Sequence, residues 1–176
     1  MKPLGAILAG GAAQRFGSDK AVAEWRGQRL IDHVRAALAP HCDAVLVCGR
    51  PGADAVPDRP AAGQGPLGGL NAALHAAADR GYRQVLVAPC DTPDLPAVLL
   101  ATLAAGNSSA FVAQLPVLGI WQADLAPRCD AYLRGTGRRS MRAWGEHVGA
   151  TAIDWPHPIA NINSLGDLAG LTGFFP

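Results

Sequence analysis

Residues 6–20 read AILAGGAAQRFGSDK, and the fold turns on how this stretch is read. The apolar run from Leu4 to Leu8 has the length and composition of a short buried strand. Gly10-Gly11 ends it, because glycine admits backbone angles that side chains forbid. Such a strand delivers its loop to one end of a sheet. The loop carries no acidic residue before Asp19, holds Arg15 and Lys20, and has several backbone N–H groups free of bulky neighbours. That combination suits a phosphate chain, so a nucleotide is the expected ligand. No Gly-Lys-Ser/Thr follows the glycines and their spacing is not that of a dinucleotide fingerprint, so neither of those motifs applies. Taken alone, the stretch reads equally well as a glycine turn followed by two solvated basic side chains.

Working outward, 176 residues at 49% hydrophobic content suffice for one domain with a full core. A net charge of +1 provides no general basic surface, so phosphate binding must come from local placement, and nucleic acid is not an expected partner. The N-terminus runs straight into the first strand without a signal-peptide pattern, and no apolar run approaches membrane-spanning length. The expected location is the cytosol, and no membrane partner is expected. Cys42, Cys48, Cys90 and Cys129 show no close pairing of a zinc or redox site and read as buried thiols. Asn107-Ser108-Ser109 matches a glycosylation acceptor only formally.

Leu30, Ile31, Val34, Ala37 and Leu38 share one face at helical spacing, and Pro40 marks the end of that helix. Ala44 to Cys48 (AVLVC) is a second strand, which makes the start of a right-handed βαβ layout. Gly49 to Gly65 has no periodicity, and a loop this long within a compact domain is usually functional. A Pro-led, Ala-rich helix follows to Ala78, then a third strand from Gln84 to Ala88 with Pro89-Cys90-Asp91-Thr92-Pro93 directly behind it. Asp91 stands where open α/β sheets bind ligands, at the C-terminal end of a buried strand. One carboxylate there suits Mg²⁺, which takes oxygen ligands and shares them with phosphate and water. The same residue could instead cap the helix expected from about Pro96 to Ala105. Ala110–Ala113 and Pro116–Trp121 read as short strands, either a hairpin or a pair flanking a turn at Gln114-Leu115. A helix is expected over Asp124–Leu133, and a last strand over Thr151–Trp155. These elements make a single three-layer α/β domain, Rossmann-like, with a mostly parallel sheet and helices on both faces.

Leu8-Ala9-Gly10-Gly11, Arg15, Gly17 and Lys20 resemble the signature of the sugar-phosphate and cofactor nucleotidyltransferases. Gln64-Gly65-Pro66-Leu67-Gly68, Cys90-Asp91-Thr92-Pro93 and Asn161-Ile162-Asn163-Ser164 narrow the likeness to the molybdenum cofactor guanylyltransferases, over nearly the whole chain from Leu4 to about Leu171. The resemblance implies transfer of GMP from GTP to Mo-molybdopterin with release of pyrophosphate, and Mg²⁺ as the cofactor. It implies that Leu8, Ala9, Gly10 and Gly11 hold the nucleotide, that Lys20 neutralises phosphate charge with help from Arg15, and that Asp91 anchors the metal. Asp58 would contact the base or ribose, or on its residues alone be a solvated loop charge; Asn161 and Asn163 would serve a polar cofactor or simply shape a turn, with Ser164 capping a short helix. The basic run Gly135–Arg142, holding Arg138, Arg139 and Arg142, would lie near the second substrate, or form a solvated charged face. Molybdoenzymes or their chaperones would be the protein partners, since a labile cofactor is better handed over directly. Two positions depart from the family pattern: Cys48 stands where an Asn is common, and Leu115 where a His precedes the proline. Other readings on the same fold are cytidylyl transfer, activation of another phosphorylated small molecule, and a non-catalytic nucleotide or cofactor-binding module.

Overall fold

Alternation along the first strand sets the layers. A computed structural model describes residues 1–10, 23–135 and 139–162. In β1 (Leu4–Leu8), Leu4, Ala6 and Leu8 point into one core and Ile7 into another, because successive side chains of a strand take opposite faces. The same division runs through β4 (Ala44–Cys48) and β6 (Gln84–Pro89), where Leu46, Val85 and Val87 face the first core and Val47, Leu86 and Ala88 the second. Strands buried on both faces read as continuous apolar runs, which is why these three are visible in the sequence.

α1 (Leu30–Leu38) and α3 (Ala97–Ala105) cover the second core with Ile31, Val34 and Leu38 and with Leu99, Leu100 and Leu103. On the opposite face, α2 (Pro66–Asp79), α4 (Ala126–Gly135) and α5 (Met141–Val148) supply Leu67, Leu70 and Leu74, Cys129 and Tyr132, and Trp144. The result is the expected three-layer α/β domain.

The seven-stranded sheet is completed by β5 (Ala55–Val56), β7 (Ala110–Val112), β8 (Leu115–Gln122) and β9 (Thr151–Ile153), in the order β5-β4-β1-β6-β8-β7-β9. Pairing is parallel for β4 with β5, β1 with β4, β1 with β6 and β7 with β9, and antiparallel where β8 joins β6 and β7. From β1 the chain passes to β4 on one side and later to β6 on the other, through helices on opposite faces. The order therefore reverses at β1, and in open α/β sheets the crevice beyond the strand ends at such a point is where ligands bind.

Some elements differ from their sequence reading. The aperiodic loop after Gly49 carries β5 as a two-residue edge strand, Val47 pairing with Ala55 and Cys48 with Val56. The turn of the β7–β8 pair falls one residue earlier than expected, since Leu115 already belongs to β8. The helix expected over Asp124–Leu133 begins as a 3-10 turn, Ala123–Leu125, because Pro127 fits only a first helical turn, and α4 proper starts at Ala126. A small hairpin of β2 (Glu24–Trp25) and β3 (Gln28–Arg29) precedes α1. Within the basic run, α5 starts after Ser140, whose hydroxyl accepts from the Ala143 N–H at 3.1 Å. Cys42, Cys48 and Cys129 are buried free thiols pushed up to about 12, by burial first and a neighbouring carboxylate second. Cys90 departs from the expected burial and is half-buried. Among the described residues no helix is long and apolar enough to cross a membrane.

Candidate active site at the C-terminal edge of the sheet

Main-chain pairing fixes the strand ends against one another. The Ala9 N–H donates to the Cys48 carbonyl at 2.9 Å, and the Cys90 N–H donates to the Leu8 carbonyl at 3.1 Å. Leu8 and Ala9 thus extend the sheet ladder, and the Leu8 side chain lies in the core. Gly10 is the first residue of the loop to leave the ladder and face the open edge.

There it meets Gly49. A Cβ on Gly49 would stand 2.5 Å from the Gly10 Cα and 2.7 Å from its N, and Gly49 has φ +84°. This close approach and the positive φ require glycine at position 49, and a Cβ on Gly10 would press on the Gly49 Cα at 3.0 Å. Asp58 fits against the same contact. Its Oδ1 is 3.2 Å from the place a Gly49 Cβ would take and 3.5 Å from that of Gly69 on α2, and its Oδ2 is 3.5 Å from that of Gly10. A Cβ at Gly49 would press on the carboxylate, whereas one at Gly10 or Gly69 would stand in ordinary contact with it. Burial raises the Asp58 pKa above the ordinary carboxylate value.

Gly10, Gly49 and Asp58 line a cleft of about 920 Å³, together with Arg50 and the small residues of the loop from Pro51 to Gly65. That volume suits a small organic ligand, and a lining of mostly apolar residues with a few placed polar groups is typical of such sites. Gly49 and Arg50 were missed as site residues; the signal for Gly49 is a glycine directly after a buried strand.

Asp91 follows β6, the neighbour of β1, so it lies at the same edge of the sheet, half-buried with its Oδ1 inaccessible to solvent. It is not the N-cap of α3, which is Pro96 with no side-chain capping bond. The C-terminal segment returns to this point, where the Ile162 N–H donates to the Asp91 carbonyl at 2.9 Å. Ile162 is buried against Trp25 and Leu30, which anchors the segment and leaves Asn161 exposed beside it. This hydrogen bond brings the segment that holds Asn161 beside Asp91, while Gly10 and Asp58 meet in the cleft. Gly11, Arg15, Lys20, Arg138, Asn163 and Ser164 lie outside the described residues.

Of the remaining basic run, Arg139 donates to the Gly63 carbonyl of the cleft loop at 3.4 Å, and Arg142 donates to the Ala113 carbonyl in the β7–β8 turn. Among the described residues, no three His, Cys, Asp or Glu side chains are grouped to hold a metal by themselves. A single strand-end carboxylate nevertheless fits a hard divalent ion that takes the rest of its oxygen ligands from phosphate and water.

Residues 5–150 match the model of the MobA-like NTP transferase domain. The chain is 36% identical over 180 residues to a Rhodobacter capsulatus protein named molybdenum cofactor guanylyltransferase, covering 96% of this chain and 94% of that one. It is 37% identical over 188 residues to a probable molybdenum cofactor guanylyltransferase of Deinococcus radiodurans, covering 98% and 96%. In structure it is similar to molybdopterin-guanine dinucleotide biosynthesis protein A of Archaeoglobus fulgidus, with a TM-score of 0.71 at 21% identity over 95% of each chain. It is also similar to 2-C-methyl-D-erythritol 4-phosphate cytidylyltransferase of Thermus thermophilus, with a TM-score of 0.69 at 20% identity over 96% of this chain and 98% of the other. The structural likenesses establish the fold, and the near full-length sequence matches establish kinship: the chain belongs to the MobA-like NTP transferases.

Proposed function

We propose that the chain transfers GMP from GTP to Mo-molybdopterin, forming molybdopterin guanine dinucleotide and pyrophosphate. The observation that carries this reading is the identity of 36% and 37%, over almost the whole chain, to relatives named guanylyltransferases. The geometry supports it: a glycine-walled cleft holding one carboxylate, beside a strand-end carboxylate, at the reversal point of the sheet.

In this reaction a terminal phosphate oxygen of the pterin substrate bonds to the α-phosphorus of GTP. The bond from that phosphorus to the bridging oxygen breaks, and both electrons leave with pyrophosphate. A phosphate nucleophile is already ionised, so no general base is required. The chain's task is to place the groups in line and to balance charge. Gly10 and Gly49 let the backbone approach the nucleotide, and Asp58 accepts hydrogen bonds from its base or ribose. Lys20, with Arg15, neutralises charge as it grows on the leaving pyrophosphate. Asp91 holds Mg²⁺, and the Asn161-Ile162-Asn163 segment lies beside it. When bound, the ion withdraws charge from the phosphate oxygens. Hand-over of the product to molybdoenzymes or their chaperones follows from the lability of the cofactor.

The test is pyrophosphate release by purified protein with Mg²⁺ and Mo-molybdopterin, using GTP and CTP in parallel. Release that needs every component and is strong only with GTP is the expected result. Preference for CTP, or no release with either nucleotide from folded protein, would overturn the assignment.

A further inference from the structure

Behind the cleft, the loop that carries Asp58 is tied to two helices by a polar cluster. Asn71 and His75 lie one turn apart on α2 and both reach Asp130 on α4. Asn71 Nδ2 donates to Oδ1 at 2.7 Å, and His75 Nε2 donates to Oδ2 at 3.0 Å. Arg59 Nη2 stands 4.0 Å from the same Oδ2. Asn71 is fully buried, whereas the Asp130 side chain is 16% exposed and that of Arg59 50%. Burial works to raise the Asp130 carboxyl, but the Asn71 bond, His75 and Arg59 outweigh it and hold its pKa below the ordinary value. A fixed negative charge therefore sits between α2 and α4.

Packing two helices does not require such a charge, since apolar residues of similar volume would join them without desolvating a carboxylate. What the charge adds is its reach to Arg59, the residue after Asp58. Arg59 is pinned a second time, its N–H donating to the Gly68 carbonyl at 3.2 Å. Gly68 is closely packed as well, with the place of a Cβ 2.5 Å from Gln64 Cβ and 3.4 Å from the Arg59 carbonyl oxygen. The loop from Asp58 to Gly65 is thus tied through Arg59, whose backbone N–H bonds to Gly68 in the first turn of α2 and whose side chain reaches Asp130.

We propose that Asp130 is a positioning residue for nucleotide recognition. Held by Asn71 and His75, it fixes Arg59, and through Arg59 the loop that presents Asp58 to the cleft. The identity of the nucleotide rests on the guanylyl-transfer reading; the mechanical link does not.

The experiment compares wild type with Asp130→Asn, Arg59→Gln and the double variant by GTP titration, steady-state turnover and amide hydrogen exchange. Removing a half-exposed ion pair should weaken GTP affinity about two- to fivefold. Turnover at saturating GTP should match wild type, and the double variant should be no worse than Asp130→Asn. Exchange should quicken in residues 57–69. GTP affinity unchanged in both single variants, with Asp130→Asn only less heat-stable, would overturn the proposal, as would faster exchange confined to residues 70–79 of α2 and to α4. Should Asp130→Asn fail to fold, Arg59→Gln, altered at a half-exposed side chain, decides the question alone. If wild type binds no GTP, the functional reading falls, and exchange in residues 57–69 still decides the link: quicker in the variants supports it, unchanged overturns it.

Discussion

Replacing Gly49 by alanine should damage stability and nucleotide binding together. At φ +84° an L-residue with a Cβ loses about 1–2 kcal/mol relative to glycine. The new methyl would also stand 2.5 Å from the Gly10 Cα and 2.7 Å from the Gly10 N. Both are main-chain atoms, so no rotamer change relieves the clash, and overpacking of this kind costs about 1–3 kcal/mol. The sum is about 2–5 kcal/mol, a large part of the roughly 5–15 kcal/mol that holds a domain folded. Gly10 follows a strand paired on both sides, so the strain should be relieved by spreading the backbone at Gly10 and Gly49, which would move the walls proposed to contact the nucleotide. Gly81→Ala provides the control: it has φ +76° with nothing within 4 Å of its Cβ position, and it should lose only the backbone contribution. Urea denaturation gives the stabilities and isothermal titration the GTP affinities. Gly49→Ala should lose more stability than Gly81→Ala and bind GTP about tenfold or more weakly, equivalent to about 1.4 kcal/mol. Stability matching the Gly81→Ala variant together with wild-type GTP affinity would refute the close approach of Gly10 and Gly49.

Asp58→Asn should stabilise the nucleotide-free protein while weakening GTP binding. The folded state raises the Asp58 pKa above its ordinary 3.8, so this group's contribution declines as pH rises from there and its penalty is complete above the raised value. Denaturation at several pH values checks it, and a variant no more stable than wild type at pH 7 would count against it. Asp91→Ala should lower turnover about a hundredfold or more in a protein that stays folded by circular dichroism, and near-normal turnover would remove Asp91 from the mechanism. Lys20→Ala should reduce turnover more than GTP affinity, because charge on the leaving group grows in the transition state; equal losses would make Lys20 a plain binding residue. Gly145→Ala should destabilise the fold without changing KM for GTP. Its methyl would stand 2.4 Å from the buried Phe111 ring, so an overpacking loss of about 3 kcal/mol exceeds a helix-propensity gain of about 1 kcal/mol, and thermal denaturation reads the difference.

The central part of the fold is legible in the sequence because β1, β4 and β6 are apolar runs of five or six residues, each closed by a glycine or proline. The edges are not. β2, β3 and β5 have two residues each, too short for any periodicity, although positive φ at Arg26 and Gly27 (51° and 74°) gives the β2–β3 turn a two-residue hairpin form that the Arg-Gly pair hints at. α5 carries readable punctuation, Ser140 at its start and Gly149 in the left-handed region after its end, but the basic residues before it draw the eye to charge instead. Among the candidate site residues, Asp91 is marked by a local signal, the strand end, whereas Asp58 is one charge in a long aperiodic loop and is singled out only by the family resemblance. The Gly10–Gly49 contact and the Asp130 cluster join residues far apart in the chain, and no local pattern encodes such pairings.

The most direct measurement follows the α-phosphorus. With GTP labelled at that atom, Mg²⁺, Mo-molybdopterin and purified protein, the label should move into a pterin product as one equivalent of pyrophosphate appears, and excess unlabelled CTP should not displace it. Label that stays in GTP, or appears only as free GMP, would contradict guanylyl transfer to the pterin.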